Sequence, residues 1–286
     1  MQDGGIQDGG IQDGAIQNGG IQYGGIQDGG MQDGGIQDGG IQDGGMQDGG
    51  IQDGGIQDGG MQEILPLDMV RSSVDDSYKG CEEKMLRKVH DYYLPKERGE
   101  NKDFNQAWTT AEDHYTKKGK LSKNYSLAIQ VYVNATSNFY KSFNAATRTQ
   151  KESYKTAFKY HSLHFFLANA LRMLNKNKNR TFQTFRGSKD SFEGVQYDEM
   201  QFGQFKSSSL DKKITKHFGN RSCFEIATYL GAPLGEYASQ MAHEKEVLIP
   251  PYEVFKITEV LKRTDRKDLW CDVVYKLEST KKEKVT

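Results

Sequence analysis

The chain has 286 residues, a formal net charge of −1 and 32 glycines. Those totals average two unlike parts: residues 1–61 carry −10 and 23 glycines, and the remaining 225 residues carry +9 and nine glycines. Collagen is excluded because Gly does not recur every third residue, and a transmembrane helix because no run of about 18 apolar residues exists.

The first part is Met1 followed by twelve copies of a five-residue unit, mostly Gln-Asp-Gly-Gly-Ile. Ala15, Asn18 and Tyr23 depart from the consensus, and several copies end in Met. Each unit offers one large apolar side chain, worth roughly 1.5–3 kcal/mol if fully buried. Ordering five residues costs about 1–2 kcal/mol each, and Gly costs most. A flexible tract over 1–61 is therefore expected. A stacked solenoid is the alternative, but the unit lacks the small side chains that a narrow coil packs. The Asp spacing does not match the glycine-rich calcium turns. Residues 62–286 are long enough for a real core.

Helices come first in this second part. Met85, Leu86, Val89 and Tyr92 or Tyr93 share a face over Cys81–Tyr93, and Leu94-Pro95 should end that helix. Phe104, Trp108, Ala111 and Tyr115 predict a helix over Asp103–Lys117. Leu127, Ala128, Val131, Tyr132, Phe139 and Tyr140 predict one over Asn124–Lys141. Phe158, His161, Phe165, Ala168, Leu171 and Met173 or Leu174 predict a long buried helix over Gln150–Asn175. Short apolar or alternating runs follow: Thr181–Arg186, Gln201–Ser207, Cys223–Thr228, Glu246–Ile249, Glu253–Leu261 and Trp270–Leu277. Helices before strands imply an α+β domain, a helical N-terminal half packed on a strand-rich mixed β core. No Gly-rich dinucleotide fingerprint or phosphate loop is present. The excess Lys is scattered with no recognition module, so no nucleic-acid partner is expected.

Three clusters could carry chemistry. In Thr184-Phe185-Arg186-Gly187-Ser188, an Arg at a strand end can grip an anion bidentately. In Gly203-Gln204-Phe205-Lys206-Ser207-Ser208-Ser209, strand alternation puts Ser207 and Ser209 on one face. No Gly-x-Ser-x-Gly elbow surrounds them, which argues against a hydrolase nucleophile. In Glu244-Lys245-Glu246-Val247-Leu248-Ile249-Pro250-Pro251, two acids two residues apart share a face if the strand includes both. Paired acids on an anchored strand suit stabilisation of a cationic transition state. Each cluster alone also reads as a surface Arg, a polar strand edge or a solvated charge run.

The order Arg, Ser, Glu-x-Glu, with the segment Glu246-Val247-Leu248-Ile249-Pro250-Pro251-Tyr252-Glu253-Val254-Phe255, resembles the arginine-specific ecto mono-ADP-ribosyltransferases of vertebrates. Tyr78-Lys79-Gly80-Cys81-Glu82-Glu83-Lys84-Met85 and the stretch Phe158–Leu174 resemble that family too, so the likeness spans nearly all of 62–286. It implies a catalytic domain over 62–286 with an NAD cleft. Arg186 would bind the NAD phosphates. Ser207 would position the nicotinamide ribose and the catalytic acid. Glu246 would be that acid, and Glu244 would orient the acceptor guanidinium. The NAD site would draw on Arg186, Gly187, Phe205, Ser207 and Glu246. NAD would be a substrate, no metal would be needed, and arginine-bearing proteins would be the acceptors. The chain is expected to act as a monomer.

The cysteines are Cys81, Cys223 and Cys271. Spacing alone leaves open whether they are reduced or bridged. The resemblance implies a Cys81–Cys271 disulfide and assigns Cys223 no partner. It also implies an extracellular or secretory-pathway protein. Sequons at Asn124, Asn134, Asn179 and Asn220 point the same way, but no stretch fits a secretory leader and the polar end fits no lipid-anchor signal. The expectation is that the given amino terminus is incomplete or misassigned, and that the repeat takes no part in catalysis.

Overall fold

A computed structural model describes residues 64–134, 136–176, 180–238 and 245–283. The expected flexible tract at 1–61, Glu244 and the Asn179 sequon lie outside the described residues.

The helical half begins with α1 (Glu82–Lys88), which has Glu82 and Glu83 in its first turn and Arg87 and Lys88 in its last, matching the helix dipole. The expected stop at Leu94-Pro95 does not occur. A π-helical segment, Val89–Tyr93, runs straight into α2 (Leu94–Glu100). Pro95 falls in the first turn of α2, where a missing N–H breaks nothing. α3 (Lys102–Asp113) starts where the Asn101 side chain accepts from the Phe104 amide at 3.1 Å. It buries Phe104, Trp108 and Ala111, at steps of four and three.

The helix expected over Asn124–Lys141 is two: α4 (Lys123–Val133) and α5 (Ser137–Thr149). Thr136 caps α5 by accepting from the Phe139 amide, and this local bond competes with a continuous helix. α6 (His161–Asn175) also starts later than its apolar pattern suggests. Its cap is remote: the buried Glu97 of α2 accepts from the amides of His161 at 2.6 Å and Ser162 at 3.0 Å. A carboxylate at a helix N-terminus satisfies orphan donors and favours the dipole.

Among the described residues there are ten strands, one ahead of the helices and nine after them. β1 (Ile64–Pro66) pairs in parallel with β3 (Ser191–Glu193). The others are β2 (Phe182–Ser188), β4 (Glu199–Met200), β5 (Lys206–Ser209), β6 (Ser222–Thr228), β7 (Ala232–Pro233), β8 (Glu246–Ile249), β9 (Glu253–Lys262) and β10 (Val273–Glu283). They form one sheet in the order β4-β9-β10-β6-β2-β5-β8-β7. β10 and β6 run parallel and the other pairs antiparallel, so the sheet is mixed as expected. The strand expected over Gln201–Ser207 is displaced to β5. Gly203 has φ +67 there, and a Cβ would meet Val70 at 2.7 Å, so the chain turns before it pairs.

Of three apolar clusters among the described residues, the two largest pack against the sheet. The larger joins the helices to Phe205, Ala232, Leu234, Leu248 and Tyr252. The smaller holds Phe224, Ile226, Ile249, Phe255, Ile257, Tyr275 and Leu277. The expected Cys81–Cys271 bridge is not formed. Cys223 and Cys271 are linked, with Cα atoms 5.9 Å apart, and Cys81 is free and exposed. The sheet decides this: Cys223 lies opposite Val274 in the β6–β10 ladder, and the Asp272 amide bonds the Asn220 carbonyl. The strand pairing thus carries Cys271 to Cys223, while Cys81 sits ahead of α1.

Candidate active site

β2, β5 and β8 are neighbours in the sheet. They bring together Arg186, Ser207 and Glu246, which are 21 and 39 residues apart along the chain. β2 and β5 share a single register pair, Phe185 with Ser209. One residue further on, the Arg186 guanidinium reaches across and donates through Nη1 to the Ser207 carbonyl at 2.9 Å. The Ser207 hydroxyl donates to Glu246 Oε1 at 2.6 Å. A hydroxyl bond to a carboxylate at this length is charge-assisted and strong. Arg186 and Ser207 are 0% exposed and Glu246 is 3% exposed. Charges this deep are costly unless paired, and a water-poor site also magnifies their effect on a reacting centre.

Gly187 follows Arg186 and leaves no room for a side chain. A Cβ there would lie 2.4 Å from the carbonyl oxygens of both Thr215 and Gly219. This close approach seats the 3-10 turn Lys216–Phe218 on β2 beside the Arg. At the other edge, the residue before Glu246 is left-handed: Lys245 has φ +49. A non-Gly residue there costs on the order of 1 kcal/mol. Two contacts hold it, the Lys245 ammonium on Asp211 at 3.2 Å and the Leu210 amide on the Lys245 carbonyl at 3.1 Å. The strand begins only at Glu246, so alternation does not carry through Lys245. Glu244, expected to share a strand face with Glu246, lies outside the described residues.

Phe205, just ahead of β5, packs against the helices. Its ring is 0% exposed and stacks on Phe143 of α5 at 5.8 Å, with Tyr132 and His164 edge-on. It is a wedge between β5 and the helices.

Sequence reasoning missed Glu253. It is fully buried in β9, and Thr228 Oγ1 donates to it at 2.5 Å, the Tyr229 amide at 2.7 Å and the Leu230 amide at 3.0 Å. Burial raises its pKa, and the Thr228, Ser279, Leu230 and Tyr229 bonds pull it back. It shapes the turn from β6 to β7, the strand that pairs β8 on its outer side. Only its place in the Pro-Pro-Tyr-Glu segment marked it in the sequence. A cavity of about 470 Å³ opens among α3, α4 and Tyr237–Ala238, and none of Arg186, Ser207 or Glu246 lines it. Among the described residues no group of three or more His, Cys, Asp or Glu could hold a metal ion, and no helix is long and apolar enough to cross a membrane.

Comparison with known proteins places this geometry. Residues 67–283 match the family model of NAD:arginine ADP-ribosyltransferase. Ecto-ADP-ribosyltransferase 5 of Rattus norvegicus is 34% identical over 211 residues, 68% of each chain. The Homo sapiens enzyme of that name is also 34% identical, over 68% of this chain and 72% of its own. Among solved structures, the eucaryotic mono-ADP-ribosyltransferase ART2.2 superposes with a TM-score of 0.62 at 27% identity, covering 76% of this chain and 96% of that one. A variant of ART2.2 solved in complex with NADH gives the same score over 78% and 96%. The helices-then-mixed-sheet architecture, the ordered Arg, Ser and Glu on adjacent strands, and these matches agree: the chain belongs to the NAD:arginine ADP-ribosyltransferase family.

Proposed function

We propose that this protein transfers ADP-ribose from NAD to arginine side chains of proteins and releases nicotinamide, with residues 62–286 as the catalytic domain. The observation that carries the reading is the convergence of three adjacent strands on a buried Ser207–Glu246 hydrogen bond, with Arg186 braced on Ser207.

The chemistry follows from these groups. The bond between the ribosyl carbon and the nicotinamide nitrogen breaks, and its electron pair leaves with nicotinamide as a neutral amide. No strong general acid is needed. The sugar carbon left behind is cationic, and the Glu246 carboxylate stabilises it in a site poor in water. Ser207 fixes which way that carboxylate points, and Arg186 offers its charge to the NAD phosphates. The acceptor guanidinium then forms the new carbon–nitrogen bond and gives up a proton. Glu244 is the base assigned to that step. Relatives named ecto-enzymes support an extracellular or cell-surface setting.

The test is to incubate the full chain with labelled NAD and agmatine and to separate ADP-ribosyl-agmatine from free ADP-ribose. Formation of ADP-ribosyl-agmatine is expected. Free ADP-ribose alone means that water is the acceptor, and no turnover means a non-enzymatic scaffold. Glu244→Gln is expected to suppress agmatine transfer by about 10²–10⁴-fold, the usual weight of a general base, and to spare NAD hydrolysis. A parallel fall of both activities would remove the acceptor-specific role from Glu244.

A further inference from the structure

Ser207 can serve Glu246 only if the start of β5 is held still. The β5–β8 ladder begins at Lys206 with Ile249, so the Phe205 carbonyl just ahead of it needs a donor from elsewhere. Tyr132, the penultimate residue of α4, supplies it: its phenol donates to the Phe205 carbonyl at 3.1 Å. Tyr132 is 1% exposed, and its ring packs on Phe205, Phe143 and Tyr140. The Tyr140 hydroxyl lies 3.4 Å from its own. The Glu246 charge lies near enough to bear on the same phenol. Burial first, then Tyr140 and Glu246, hold its pKa well above the usual tyrosine range. Tyr132 is therefore a protonated donor at any working pH.

The phenol has one proton, and the Phe205 carbonyl takes it; the Ser207 hydroxyl has one, and Glu246 Oε1 takes it. The backbone on either side of Lys206 is thus clamped from two layers. Tyr132 holds the Phe205 carbonyl from the helices, and Arg186 holds the Ser207 carbonyl from β2.

We propose that Tyr132 is a positioning residue for the transfer reaction, which sets the Ser207 hydroxyl on Glu246 by pinning the Phe205 carbonyl two residues ahead of it. The inference rests on the catalytic reading of Ser207 and Glu246 given above. Tyr132 touches no reacting atom and works through Ser207. Loss of its oxygen leaves a buried carbonyl without its donor and loosens the strand start that orients Ser207.

The experiment is a double-mutant cycle on the full chain, with NAD and agmatine and with kcat and KM read separately. Tyr132→Phe is expected to lower kcat about tenfold, the weight of one buried hydrogen bond, with KM for NAD changed by less than about twofold. In a Ser207→Ala background the same substitution is expected to change kcat by less than about twofold, because the residue it acts through is gone. Full losses that multiply in the double variant would mean a structural role alone and would overturn the inference, as would wild-type kcat in Tyr132→Phe. If Tyr132→Phe does not fold, Tyr140→Phe takes its place in the cycle. It removes the hydroxyl next to that of Tyr132, and a kcat loss of about threefold that vanishes with Ser207→Ala is expected. Unchanged kcat there, or a loss that persists without Ser207, overturns the inference equally. Full transfer by Ser207→Ala would sink the site reading and this inference together. An impaired Ser207→Ala beside a normal Tyr132→Phe sinks this inference only.

Discussion

The helical layer and the strand layer both bury acid, and they hold it in opposite ways. In the helical layer, Glu97 binds two backbone amides of α6 and the His161 ring at 2.9 Å. Backbone amides cannot turn away, so that carboxylate is part of the scaffold. In the strand layer, Glu246 is gripped by the hydroxyl of Ser207, which can rotate and exchange partners. The lesson is that buried charge alone does not mark a site. A carboxylate locked by main chain holds a fold, and one held by an exchangeable hydroxyl can serve a substrate.

The strongest way to break this comparison is Glu246→Gln. Transfer to agmatine is expected to fall by about 10²–10³-fold or more, as when a preorganised transition-state contact is lost, with NAD binding little changed. Its thermal midpoint should not fall, because a neutral amide is easier to bury than a carboxylate. A large loss of stability with residual transfer would make Glu246 a scaffold residue like Glu97.

The disulfide sharpens the comparison within the strand layer. Cys223 and Cys271 are separated by 48 residues, and closing such a loop is worth about 4 kcal/mol in the chain-entropy model. Cys271→Ser is expected to lower the unfolding free energy by about that amount, read by denaturant titration, and Cys81→Ser by less than about 0.5 kcal/mol. Mass spectrometry of non-reduced peptides is expected to find the 223–271 link. A peptide joining Cys81 to Cys271 would overturn the assignment.

The helical layer has its own signature, in pH. His164 is fully buried. Its Nε2 lies 2.8 Å from the Val74 carbonyl and must donate to it, so Nδ1 accepts from the Tyr78 hydroxyl at 2.8 Å. Burial lowers its pKa from 6.5 to about 4, the Val74 bond opposes the shift, and His161 adds to it. Between those values the unfolded chain binds the proton and the folded chain does not. Stability is therefore complete above about pH 6.5 and is lost as pH falls toward 4, by about 3 kcal/mol. His164→Gln is expected to flatten that slope. An unchanged slope would show that another group carries it.

The two layers also differed in how much the sequence revealed. The spacing of Phe104, Trp108 and Ala111, and the apolar run of β8, are local patterns that fix local structure. So is the ordered set of Arg186, Ser207 and Glu246, which announced the family. Other features come from residues distant in the chain. The start of α6 depends on Glu97, 64 residues before His161. The disulfide depends on β6 and β10 lying side by side. The helical run from Val89 into α2 depends on a shifted hydrogen-bond ladder that the motif Leu94-Pro95 does not announce. The buried environment of Phe205, and the role of Tyr132 beneath it, exist only because α4 and α5 pack against β5.

By itself, then, the sequence determined the charge split, the succession of helices and sheet strands, and the ordered Arg, Ser and Glu that mark the family. Periodicity and residue type act over a few neighbours, and a single chain displays them directly. The tertiary structure alone decided which cysteines meet, where the helices begin, and which hydroxyl points at Glu246. Those are set by sheet order and by the need to satisfy every buried polar group, and both depend on partners tens of residues away.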